Sequence, residues 1–132
     1  MLGSPISHSL SPALHGAAYR ALGLTDWLYG AHEIQESTLP GFVAGLGPEW
    51  VGLSLTMPLK EAAFEVAHEV SDLARDVGAI NTLVRHPDGH WSGDNTDVYG
   101  VSQALREAGV GPVTGSMAVS YTHLTLPTSD LV

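Results

Sequence analysis

The stretch WVGLSLTMPLKEAAFEVA, residues 50–67, reads as a strand running into a helix. Trp50 to Thr56 is a short, largely apolar run that suits a buried strand. Pro58 then opens a helix, with Leu59, Ala62, Ala63, Val66 and Ala67 forming its apolar side. Between them, Thr56 and Lys60 would stand together at one strand end.

The flanking sequence repeats this alternation. Upstream, Ser11-Pro12 starts a helix with a hydroxyl cap and a proline in the first turn; Leu14, Ala18, Ala21 and Leu22 share a face, and Gly23 closes it. Trp27 to Ile34 reads as a strand, and Leu39 to Leu46 as a helix weakened by Gly41 and Gly45. Downstream, Ser71 caps a short helix that ends at Gly78, and Ala79 to Arg85 returns as a strand. Pro87-Asp88-Gly89 is a turn, so His90 to Gly93 is expected as a hairpin partner. Asn95 or Thr96 caps a last helix, whose Val98, Val101, Ala104, Leu105 and Ala108 form a stripe before Gly109. The pattern predicts a single α/β domain, with a mostly parallel sheet covered by helices on both faces. Loops at the carboxyl ends of its strands are the expected binding site.

Composition narrows the function. The chain has 132 residues, 44% of them apolar and 14% charged, which fits one globular domain. A net charge of −9 argues against nucleic acid and against an anionic membrane surface as partners. With no cysteine there is no thiolate zinc site, disulfide or thiol nucleophile, and a cytoplasmic location is expected. Of the five basic residues, Arg20, Arg75, Arg85 and Arg106 are arginines and Lys60 is the only lysine. Drift toward arginine accounts for that, and so does a chemical role for the amine.

Three loops are candidates for chemistry. SPISHSLSP, residues 4–12, runs four serines into a helix start, either as a seat for a carboxylate or phosphate or as a capped loop with spare hydroxyls. SLTMPLK, residues 54–60, offers the Thr56 hydroxyl and the Lys60 amine. Asn81-Thr82 and GDNTD, residues 93–97, form a polar run that is also consistent with a simple helix cap. His86 and His90 face each other across the expected hairpin without a third ligand, so no metal is expected. His8, in the serine loop, reads as a solvated or capping histidine, the alternative being a substrate contact; His15 and His68 on helices and His32 in a strand have no evident partner; Trp27, Trp50 and Trp91 read as packing residues.

Together, GSPISHSLSP, SLTMPLKEAAF, GAINTL and GDNTDVYG resemble, in order and spacing, the N-terminal substrate-binding domain of shikimate dehydrogenase. The resemblance spans residues 2 to about 109. It implies one half of a two-domain, NADP-dependent dehydrogenase that reduces 3-dehydroshikimate to shikimate on the route to aromatic amino acids. By the same resemblance, Ser9 and Ser11 would hold the substrate carboxylate, while Thr56, Asn81 and Asp97 would meet ring hydroxyls. Lys60 would be the catalytic group, paired with Asp97. The chemistry suits these residue types, because a ketone taking hydride builds negative charge on oxygen that a nearby ammonium can stabilise or protonate.

The chain departs from the family pattern at both ends. Only Met1 and Leu2 stand where a full first strand should precede Gly3, and no G-x-G-x-x-G follows the last helix, so no cofactor-binding residue is expected. Residues 1–109 are read as the substrate-binding domain and 110–132 as a non-family tail, unstructured or artefactual. Its end, SYTHLTLPTSDLV, resembles translated adapter sequence. The expected function is therefore the substrate half of the enzyme, inactive alone. The alternative is a stand-alone binding module for a hydroxy acid, shikimate or quinate, without redox activity.

Overall fold

The computed structural model describes residues 1–110, 117–119 and 124–126. β1 (Leu2–Gly3) leads into α1 (Ser11–Ala21), and β2 (His32–Glu33) pairs with β1 in parallel. A 3₁₀ turn (Glu36–Thr38) and α2 (Leu39–Ala44) precede β3 (Gly52–Ser54), α3 (Leu59–Ala62) and a second 3₁₀ turn (Ala63–Glu65). β4 (Glu69–Val70), α4 (Asp72–Val77), β5 (Thr82–Arg85), β6 (Trp91–Asp94) and α5 (Asp97–Glu107) complete the domain. β7 (Met117–Val119) and β8 (Leu124–Leu126) pair with each other as a separate antiparallel ribbon. The rest of the expected tail lies outside the described residues.

The sheet is mixed, which corrects the mostly parallel arrangement expected from the alternation. β3, β5, β6 and β4 lie side by side in that order; β3–β5 and β5–β6 are antiparallel, and only β6–β4 is parallel. The Pro87-Asp88-Gly89 turn imposes the β5–β6 hairpin, with Gly89 at φ 90°. Here the His90 N–H donates to Asp88 and holds its carboxyl below the ordinary value. A parallel bridge between Leu2 and Leu55 sets the β1–β2 pair beside β3.

One face of this sheet is closed. Leu53, Leu83 and Gly93 stand opposite one another across three strands, and Leu39, Val43, Leu59, Ala63 and Ala74 from the helices pack into the same core. The reverse face carries Val84, 46% exposed, so the expected cover of helices on both faces is not formed by the described residues. α1 buries none of its residues, and its supposed apolar face is open, with Leu14 68% and Leu22 72% exposed. The helix instead touches the segment after it, where His15 stacks on Tyr29 with ring centres 3.9 Å apart.

Other elements are shorter than their sequence patterns. β2 is limited to two residues because β1 offers only two to pair with. The helix after Pro58 tightens to 3₁₀ at Ala63, since the chain must turn to bring His68 N–H onto the Trp91 carbonyl at 2.8 Å and start β4. His68 is thus a loop residue, and its Nδ1 accepts from Trp91 N–H at 3.2 Å. Glu61, Glu65, Glu69 and Asp72 are exposed and lie on four different elements.

α4 begins and ends as its sequence directs. The Ser71 hydroxyl accepts from Ala74 N–H at 3.2 Å and donates to Asp94 at 2.6 Å, and Gly78 closes the helix at φ 68°. Ser71→Ala should cost about 1 kcal/mol and lower Tm by about 4 °C, measurable in a thermal melt. An unchanged Tm would show that the cap contributes nothing.

Candidate active site

Lys60 stands in the first turn of α3 and Asp97 opens α5. Thirty-seven positions apart in sequence, they meet as an ion pair with Nζ 2.5 Å from Oδ2. Their side chains are 17% and 28% exposed, so the pair is sheltered yet reachable. At the N-terminus of the longer helix, the Asp97 carboxylate is favoured by the helix dipole. An ammonium carries three N–H donors, so two remain for a ligand beyond the one given to Asp97.

Of the other expected residues, Thr56 and Asn81 lie on segments hydrogen-bonded to those that carry the pair, and Ser9 and Ser11 lie at the start of α1. Thr56 follows β3; its N–H donates to the Leu2 carbonyl at 2.9 Å. Ser4 N–H donates to the Met57 carbonyl at 3.0 Å, so the serine loop and the Thr56 loop are fastened together. Gly3 makes this approach feasible, because a Cβ there would lie 2.3 Å from the Thr56 methyl and 2.9 Å from the Met57 carbonyl oxygen. Gly3→Ala should therefore push the two loops apart and destabilise the domain by about 1–3 kcal/mol, read by denaturant unfolding. A variant as stable as the parent would mean that the loops are not held at this distance.

Ser9 and Ser11 are half-buried at the entrance to α1. The Ser9 hydroxyl accepts from Ser11 N–H at 3.3 Å, while Ser4 is engaged elsewhere, donating to Glu33 at 3.0 Å and accepting from Gln35 at 2.9 Å. Among the described residues, no hydrogen bond links Ser9 or Ser11 to Lys60 or Asp97 directly. The expected hydroxyl cap on α1 is also not made by Ser11, which is itself the first helical residue.

Asn81 lies just before β5 and is buried. Its Nδ2 donates to Thr96 Oγ1 at 2.9 Å, and its Oδ1 accepts from Thr96 N–H at 3.0 Å and from the Thr82 hydroxyl at 2.8 Å. One N–H of the carboxamide remains for a ligand. Asn95 is more deeply placed than its reading as a cap suggested: it is 2% exposed and makes hydrogen bonds in three directions. His15 meets the Ser11 carbonyl at 2.9 Å, whereas His68, His86 and His90 make their contacts elsewhere. His86 meets Ser92 at 3.0 Å, His90 stacks on His68 with ring centres 4.5 Å apart, and no metal-binding cluster occurs among the described residues. A cavity of about 320 Å³ beside Val43, Leu46, His68, Arg85 and Trp91 opens at the opposite end of the sheet and includes none of the expected site residues. No described helix is long and apolar enough to cross a membrane.

An ammonium and a carboxylate in contact, with hydroxyls on neighbouring loops, can bind a polyhydroxylated acid and stabilise charge that develops on one of its oxygens. Comparison with known proteins gives this arrangement a family. The model of the shikimate dehydrogenase substrate-binding domain matches residues 1–83. The NADP⁺ shikimate dehydrogenase of Synechocystis is 44% identical over 109 residues, covering 81% of this chain and 37% of the relative. Among solved structures, the Mycobacterium fortuitum shikimate 5-dehydrogenase is 61% identical with TM-score 0.76, covering 80% of this chain and 39% of that one. The Thermus thermophilus enzyme in complex with shikimate is 38% identical with TM-score 0.74, covering 86% and 43%. The chain thus spans about two fifths of the relatives that it matches. It belongs to the family of shikimate dehydrogenase substrate-binding domains.

Proposed function

We propose that this domain binds shikimate and 3-dehydroshikimate for an NADP-dependent shikimate dehydrogenase. The observation that carries the reading is the Lys60–Asp97 pair, which joins two family motifs in one sheltered contact. Ser9 and Ser11 take the carboxylate, Thr56 and Asn81 hold ring hydroxyls, and Asp97 holds a hydroxyl while orienting the ammonium. Lys60 supplies a proton to the carbonyl oxygen in reduction and recovers it in the reverse direction. Such a site favours shikimate over quinate through the paired serines.

The described residues do not fit a dinucleotide. No glycine-rich turn opens a helix among them to seat a pyrophosphate, and the −9 balance opposes phosphate binding. On its own the 132-residue chain is then a binder and not a catalyst, and purified material should show no NADP-dependent shikimate oxidation. Measurable turnover would overturn that. Titration calorimetry with shikimate tests the binding itself. Ser9→Ala should raise Kd about tenfold, the scale of one lost hydrogen bond to a charged group. Absence of any shikimate binding by a folded chain would remove the proposed function.

A further inference from the structure

The Lys60–Asp97 contact joins two helices whose starting positions need to be fixed relative to each other. The lysine side chain is long and rotatable while the aspartate is short, so the contact depends on how the two backbones are held. Asn81 links the segment after Ile80 to Thr96 at the start of α5, and a second, buried tie runs through Asn95. Ile80 N–H donates to the carbonyl of Lys60 at 2.8 Å, and the other side of that same peptide unit, the Ala79 carbonyl, accepts from Asn95 Nδ2 at 2.9 Å. Asn95 Oδ1 in turn accepts from Asp97 N–H at 3.0 Å and Val98 N–H at 3.3 Å. One peptide unit and one carboxamide therefore span the distance from the backbone of Lys60 to that of Asp97. Ile80 is fully buried and Asn95 is 2% exposed, so water does not compete for these bonds.

We infer that Asn95 is a positioning residue that sets the Lys60–Asp97 pair through the Ala79–Ile80 peptide. It touches neither ion directly through their side chains. A helix cap alone needs only an acceptor oxygen, which a serine supplies; the tie also needs the N–H donor that reaches Ala79, which a serine lacks. This difference separates positioning from simple capping. The functional value of the pair rests on the proposed substrate site, whereas the tie itself does not.

Because Lys60 is the only lysine, ¹⁵N-lysine labelling of the 132-residue chain gives a single side-chain ammonium signal. In Asn95→Ser, that signal should move at least half of the way toward its position in Asp97→Asn, while the backbone amide spectrum keeps its folded dispersion. A signal unchanged from the parent chain would reduce Asn95 to a cap and overturn the inference. If Asn95→Ser does not fold, the reverse measurement decides. Coupling is reciprocal, so Lys60→Ala should speed hydrogen exchange of the Asn95 carboxamide by about fivefold or more; an unchanged rate overturns the inference. Shikimate added to the parent chain is read separately. An ammonium signal that ignores it sinks the substrate reading and leaves the tie standing.

Discussion

Lys60→Ala should lower kcat by about a hundredfold or more, with only a few-fold change in KM, once this domain is joined to the NADP-binding remainder of a relative such as the Mycobacterium fortuitum enzyme. The ammonium is held against Asp97 at 2.5 Å, so it is already oriented before substrate arrives. In the proposed reaction its contribution grows as charge develops on the carbonyl oxygen, so turnover should suffer more than affinity. There is no second lysine in the chain, and among the described residues no arginine is paired with Asp97. Lys60→Arg should rescue poorly, since a planar, always-charged guanidinium does not deliver a proton. A loss confined to KM would mean that Lys60 only binds.

The largest effect on stability is expected at Leu83. It is fully buried at the centre of the closed sheet face, opposite Leu53 on one side and Gly93 on the other. Leu83→Ala should cost about 2–5 kcal/mol through lost burial and the cavity left behind. A domain of this size has roughly 5–15 kcal/mol in total, so the variant should melt far below the parent. Its neighbour Val84 points to the open face, 46% exposed, and Val84→Ala should cost less than about 1 kcal/mol. Equal losses at the two positions in denaturant titrations would contradict the one-sided core.

What the sequence conveyed well was local. The Ser71 cap, the Gly78 stop, the Pro87-Asp88-Gly89 hairpin and the final helix all depend on neighbours within a few positions, and each is found where its residues place it. Strand direction is a long-range property. β3 pairs with β5 across residues that carry no signal of orientation, so alternation alone suggested a parallel sheet. The stripe on α1 was misleading for a related reason: Leu14 and Leu22 share a face, but nothing among the described residues covers it. In the site, the four motifs pointed to Lys60 and Asp97, and the structure brings these two together. Asn95 was legible only as a cap because its second role needs Ala79, sixteen positions upstream, and no spacing rule reveals that contact.

The most direct test of the account is a crystal structure of this domain with shikimate bound. The carboxylate should lie within hydrogen-bonding distance of the Ser9 and Ser11 hydroxyls. The ring hydroxyls should face Thr56, Asn81 and the Lys60–Asp97 pair, with that pair still in contact. Shikimate seated instead in the cavity beside Arg85 and Trp91, or with its carboxylate on Lys60 and away from the serines, would contradict it.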